Sequence, residues 1–114
     1  MTKYIFPNDF WWGSAASATQ TEGTDSIKDK TIWDKWYEEE PNRFFNNVGP
    51  NTTSDFYNRY KEDIKLMKET GHNSFRLSIS WTRLINQDTN EVNDDAVQFY
   101  NDVINELKAN NIEP

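Results

Sequence analysis

At 114 residues the chain has room for one domain and falls short of an eightfold barrel, which takes roughly 250 residues. Nineteen acids against twelve scattered bases leave a formal charge of −7, which argues against nucleic acid or an anionic membrane as partner, since both demand a basic patch, and the lack of cysteine excludes disulfides and thiolate metal sites. A mean hydropathy of −0.96 beside 15% aromatic residues separates it from disordered tails, yet it is polar for a self-sufficient core, so apolar faces in need of covering are expected.

The opening residues, Met1 to Pro7, hold no apolar run of the roughly 7–15 residues that a secretory signal uses, and no stretch approaches the roughly 20 of a membrane span. A cytoplasmic, soluble chain is expected. The aromatic run Phe10 to Ser14 follows the turn signal Pro7-Asn8-Asp9 and reads as a buried strand opening into a small-residue loop. Gln20 lies just past it. From Glu22 to Thr53 the pattern is irregular, with Trp33 and Trp36 on a single helical turn, the acidic triplet Glu38-Glu39-Glu40, and breakers at Pro41-Asn42 and Gly49-Pro50-Asn51. That is long for a passive connector and points to a functional or mobile loop.

A helix is predicted from a Ser54 cap, with Phe56, Tyr57, Tyr60, Ile64 and Met67 at threes and fours and Gly71 as its stop. Ser74 to Trp81 alternates, with Phe75, Leu77, Ile79 and Trp81 on one face and Arg76, Ser78 and Ser80 on the other. A second helix from about Asn93 carries the stripe Ala96, Val97, Tyr100, Val103, Ile104, Leu107 and ends at Asn110-Asn111. Strands alternating with helices predict parallel βαβ units of the α/β class, in a barrel or a doubly wound sheet.

The polar face of the second strand is the sharpest chemical clue, because a parallel strand buried on both sides reads as continuously apolar. Inside a barrel Arg76 would need a carboxylate partner and would hold a neighbouring carboxylate in its charged form. An antiparallel strand with a wet face is the other reading. Gln20 offers two donors and an acceptor, which suits vicinal sugar hydroxyls; a solvated loop side chain is the alternative. Glu22 reads as an acceptor that holds the loop or pairs with a nearby base rather than as a catalytic acid. Trp33 and Trp36 suit the rim of a sugar site, with burial for area as the alternative, and Trp11, Trp12 and Trp81 suit core or site wall. The acid pairs Glu62-Asp63 and Asp94-Asp95 read as solvated helix charges, and the single histidine, His72, as a surface residue at a helix end. With no second histidine, no glycine-rich phosphate loop and no nucleophile elbow, neither a metal nor a cofactor is expected.

Three ordered motifs carry a resemblance that runs the whole length of the chain. They are Phe10-x-Trp12-Gly13-x-Ala15 leading to Gln20-x-Glu22-Gly23, then Asp55-x-Tyr57-x-Arg59-Tyr60-Lys61-Glu62-Asp63, then Arg76-x-Ser78-x-x-Trp81-x-Arg83, with Ile112-Glu113-Pro114 like the approach to a third strand. Together they resemble the N-terminal part of family 1 glycoside hydrolases, and the stretches Thr31 to Asp34 and Glu40 to Phe45 look most like the bacterial 6-phospho-β-glucosidases.

The resemblance implies that residues 1–114 form the N-terminal βαβα part of a (β/α)8 TIM barrel, one incomplete domain. It implies retaining hydrolysis of β-glycosides, most of all 6-phospho-β-glucosides, in carbohydrate catabolism. Gln20 would hold sugar hydroxyls in the minus-one subsite, Arg76 would stand beside the nucleophilic glutamate in a supporting role, and Trp81 and Arg83 would be structural. The acid/base and the nucleophile themselves would lie beyond Pro114, so these 114 residues alone are expected to be inactive. The expected partner is a small phosphorylated β-glucoside or disaccharide, and no oligomeric state is implied. An unphosphorylated β-glucosidase, a 6-phospho-β-galactosidase, and a non-catalytic carbohydrate-binding or interaction fragment are the other readings.

Overall fold

A computed structural model describes residues 3–114. Two short parallel strands, β1 (Gly13–Ala15) and β2 (Ser74–Arg76), pair in the register Gly13 with Ser74, Ser14 with Phe75 and Ala15 with Arg76. Ser74 also makes a parallel bridge to Glu113, fixed by Phe75 N–H on the Glu113 carbonyl at 2.8 Å and Glu113 N–H on the Asn73 carbonyl at 2.9 Å. A third strand position thus begins beside β2, in chain order, as the βαβα expectation requires. Gly13 has to lack a side chain, since a Cβ there would overlap the Ser74 carbonyl.

Among the described residues five α-helices accompany the strands: α1 (Ala18–Thr21), α2 (Ile32–Glu39), α3 (Phe56–Glu69), α4 (Trp81–Leu84) and α5 (Asp94–Ala109). The two long ones pack over β2. Phe56 and Ile64 of α3, Phe75 of β2, Phe99, Tyr100, Val103 and Leu107 of α5, and Ile112 make one buried cluster. α5 has Asn93 as N-cap, accepting from Asp95 N–H at 3.1 Å, with Asp94 and Asp95 in its first turn and Lys108 in its last, which matches its dipole at both ends. α3 stops where Gly71 takes φ +87°, which lets His72 N–H return to the Met67 carbonyl at 3.0 Å.

Several boundaries differ from those read in the sequence. The first strand begins at Gly13 rather than Phe10, because the side chain of Asn73 takes the pairing positions of the aromatic run. Its Oδ1 accepts from Trp12 N–H at 2.7 Å and its Nδ2 donates to the Phe10 carbonyl at 2.9 Å. The second strand ends at Arg76, not Trp81. Tyr100 draws Ser80 N–H onto its hydroxyl at 2.7 Å, the chain turns, and Trp81 opens α4 with its ring 64% exposed. The cap of α3 falls on Asp55, in the left-handed region at φ 56°, while Ser54 Oγ donates to the Thr21 carbonyl instead. In α5 the buried stripe includes Phe99, and Val97 lies outside it. Trp33 and Trp36 sit on the eight-residue α2 rather than on a lone turn. His72 is half-buried and ties Ser14 Oγ to Thr70 Oγ1 at 3.1 Å on either side. Among the described residues no helix is long and apolar enough to cross a membrane.

Candidate functional site

Beyond β1 the chain enters α1, a single turn that carries Gln20. Its side chain is exposed, and its Oε1 accepts from Ser17 Oγ at 2.8 Å. Facing it across a cleft of about 460 Å³ is the stretch from α2 to Thr53. Gln20, Ser17 and Thr19 line one side, and Trp33, Phe44 and Pro50 line the other. The lining mixes amide and hydroxyl groups with aromatic faces and includes no charged residue, a combination suited to a sugar ring, whose C–H faces stack while its hydroxyls hydrogen-bond.

The aromatic side is built from α2 outward. Trp33 packs on Trp36 with centroids 5.7 Å apart, Trp36 meets Phe44 at 5.2 Å, and Phe44 meets Tyr37 edge-on at 5.2 Å. Tyr37 Oη donates to the Asn47 carbonyl at 2.9 Å, and its ring lies so close to Gly49 that a Cβ there would overlap it.

α2 is aimed by a capping box. Asp34 N–H donates to Thr31 Oγ1 at 3.3 Å, and Asp34 Oδ2 accepts from Thr31 N–H at 2.8 Å and from Thr31 Oγ1 at 2.6 Å. The other carboxylate oxygen accepts from Thr24 Oγ1 at 2.6 Å, joining the helix start to the turn after α1. Burial pushes the Asp34 carboxyl up, but the hydrogen bonds from Thr24 and Thr31, with the nearby Lys30 charge, outweigh it and hold the group below its ordinary value.

Behind Gln20 lies a buried polar knot. Glu22 Oε2 accepts from Arg83 Nε at 2.9 Å and Glu22 Oε1 from Tyr100 Oη at 2.9 Å. The other two guanidinium nitrogens donate to Ser26 Oγ at 3.1 Å and the Gly23 carbonyl at 3.0 Å, and the guanidinium lies 4.0 Å over the Tyr57 ring. Burial raises the Glu22 pKa, against the pull of the Tyr100 hydroxyl and the Arg83 charge. Burial and then the Glu22 carboxylate push the Tyr100 phenol up as well, so it stays protonated and donates.

The structure therefore brings Gln20 and Trp33 to one cleft, with Trp36 one layer behind. It places Arg76 elsewhere, on β2, exposed and in no ion pair among the described residues. Arg83 is buried and paired with the Glu22 carboxylate. Glu22 has the loop-holding, base-paired role expected of it. Glu38, Glu39 and Glu40 are exposed, with Glu39 against Lys35 and Glu40 against Arg43. Of the polar residues around the site, Asp34 is announced by the Thr31-x-x-Asp34 spacing, and nothing local in the sequence announces Tyr100. No group of His, Cys, Asp and Glu among the described residues is arranged to hold a metal ion.

Residues 2–114 match the family described as Glycosyl hydrolase family 1. The chain is 64% identical over 114 residues to 6-phospho-beta-glucosidase GmuD of Bacillus subtilis strain 168, covering 98% of this chain and 24% of that protein. It is 48% identical over 113 residues to Beta-glucosidase 33 of Arabidopsis thaliana, covering 96% of this chain and 18% of that one. Among solved structures, the family 1 β-glucosidase from Thermotoga maritima superposes with a TM-score of 0.83 at 34% identity, over 94% of this chain and 24% of that one. The chain thus spans about a fifth to a quarter of the length of these relatives. Its βαβα unit is a portion of their barrel fold.

Proposed function

The chain belongs to glycosyl hydrolase family 1, and from that premise we propose that the protein hydrolyses β-glycosides with retention at the anomeric carbon, taking 6-phospho-β-glucosides ahead of unphosphorylated ones. The observation that carries the phosphorylated preference is the 64% identity to a 6-phospho-beta-glucosidase, against 48% to a plant β-glucosidase.

Gln20 is the sugar-binding residue in this reading. Its amide stands at the cleft with its carbonyl oxygen already engaged by Ser17, so its NH2 group is the part offered to a hydroxyl. Trp33 and Phe44 supply the apolar wall. No cationic side chain among the described residues lines the cleft, so this reading assigns the phosphoryl group to none of its lining residues. Arg76 has the supporting role, at the end of β2 where the resemblance sets it beside the nucleophile. Retention takes two carboxyl groups about 5–5.5 Å apart, one the nucleophile and one the acid/base. The resemblance assigns neither to residues 1–114, and this stretch on its own is expected to be silent.

The experiment compares kcat/KM of the protein, as expressed from its gene, on 4-nitrophenyl β-glucoside 6-phosphate, the matching 6-phosphogalactoside and plain 4-nitrophenyl β-glucoside. The phosphoglucoside is expected to lead. A lead for the plain glucoside would make this an ordinary β-glucosidase, and a lead for the galactoside a phospho-β-galactosidase.

A further inference from the structure

The turn that presents Gln20 is too short to hold its own shape. α1 has four residues, its N-cap Ser17 makes no side-chain capping bond, and helices below about 12 residues are marginal alone. Besides Ser54 Oγ on the Thr21 carbonyl at 3.2 Å and Tyr57 N–H on the Glu22 carbonyl at 3.4 Å, what holds it comes mainly from one distant segment, residues 78–83. At its start, Ala18 N–H donates to Ser78 Oγ at 2.8 Å. At its end, Glu22 is gripped by Arg83, which also holds the Gly23 carbonyl. Tyr100 closes the frame, donating to Glu22 while accepting from Ser80 N–H at 2.7 Å.

We propose that Glu22, Arg83 and Tyr100 are positioning residues that set the place of Gln20, and through Gln20 the fit of the sugar; the proposal rests on the sugar-binding reading of Gln20 given above. Glu22 is two residues from Gln20 and caps α1, with its N–H on the Ala18 carbonyl at 2.9 Å, so a shift of its carboxylate turns the whole helix. The frame is dry and saturated. Glu22, Arg83 and Tyr100 are 4%, 5% and 5% exposed, and no buried side-chain polar atom among the described residues lacks a partner. Arg83 cannot drift either, since three acceptors and the Tyr57 face fix its plane. A bulk fold needs no such knot two residues from an exposed amide. A binding group that must be held to fractions of an ångström does.

The test is a double-mutant cycle in the protein as expressed from its gene, read as kcat and KM on whichever 4-nitrophenyl glycoside it cleaves fastest. Tyr100→Phe deletes one hydroxyl and keeps the ring. It is expected to lower kcat/KM about tenfold alone, yet by less than about twofold when added to Gln20→Ala, because residues acting through one group are not additive. Equal fold losses in the two backgrounds overturn the proposal, as does no loss from Tyr100→Phe alone. Ser78→Ala, at the other end of α1 and on an exposed side chain, is judged by the same two criteria and decides the matter if Tyr100→Phe fails to fold. Gln20→Ala leaving kcat/KM unchanged overturns the sugar-binding reading and the positioning with it, whereas Gln20→Ala costing activity with multiplicative losses overturns the positioning alone.

Discussion

Arg83 donates from Nε to Glu22 Oε2 at 2.9 Å across 61 positions of sequence, and the pair joins the turn after β1 to the turn after β2. Such a pair adds little over well-packed apolar residues, but removing one partner strands the other in a dry site. Arg83→Met is therefore expected to destabilise the protein by about 3–5 kcal/mol in denaturant unfolding, since Glu22 stays behind. Arg83→Lys recovers only part, because an ammonium cannot span Glu22, Ser26 and the Gly23 carbonyl at once.

Asp34 and Glu22 have opposite pH signatures. Asp34 titrates below its ordinary 3.8, so its ionised form adds stability above that pH, and the contribution drains away as pH falls through the lowered value. Asp34→Asn should cost about 1–2 kcal/mol near neutrality, and that penalty should shrink on acidification below pH 3.8. Glu22, raised by burial, contributes most below its ordinary 4.5 and less as pH climbs through the raised value. The penalty of Glu22→Gln should accordingly shrink upward from pH 4.5. Unfolding free energies of both variants across this range would settle the signs.

Gly49→Ala tests the aromatic wall. Its φ is ordinary, so the backbone tolerates alanine, but the new methyl meets the Tyr37 ring and pushes on Phe44 and Trp36 behind it. A loss of about 1–3 kcal/mol is expected from overpacking. Tryptophan emission should shift with it.

On the proposed sugar-binding role, Gln20→Ala is expected to lower kcat/KM about 10- to 100-fold, with little change in melting temperature because the side chain is exposed. Trp33→Ala should differ in kind. It removes a stacking face from the cleft wall, so KM rises by several-fold while kcat moves less. Steady-state kinetics on one glycoside separate the two.

The elements that repeat a period were legible in the sequence, and those made by single side chains reaching across the chain were not. The stripe of α5 and the stop at Gly71 follow from spacing and backbone preference. The end of β2 does not, because Ser78, Ser80 and Trp81 continue the alternation on paper while Tyr100 bends them out of line. Asn73 likewise stands in for a strand at Phe10 and Trp12, which no periodicity reveals. At the site, Gln20 and Trp33 are candidates on side-chain chemistry alone, and the structure sets them at one cleft. Arg83 and Arg76 share a motif and a charge; only the packing of α5 tells which is buried.

The knot behind Gln20 also dictates a schedule for biosynthesis. Glu22 must wait for Tyr100, 78 positions later, which at 5–20 residues per second is roughly 4–16 s of translation. Until Arg83 follows, 61 positions after Glu22, the nascent chain holds a carboxylate destined for burial without the guanidinium that meets it. The turn that carries Gln20 is therefore among the last parts of this stretch to set, although it lies near its beginning.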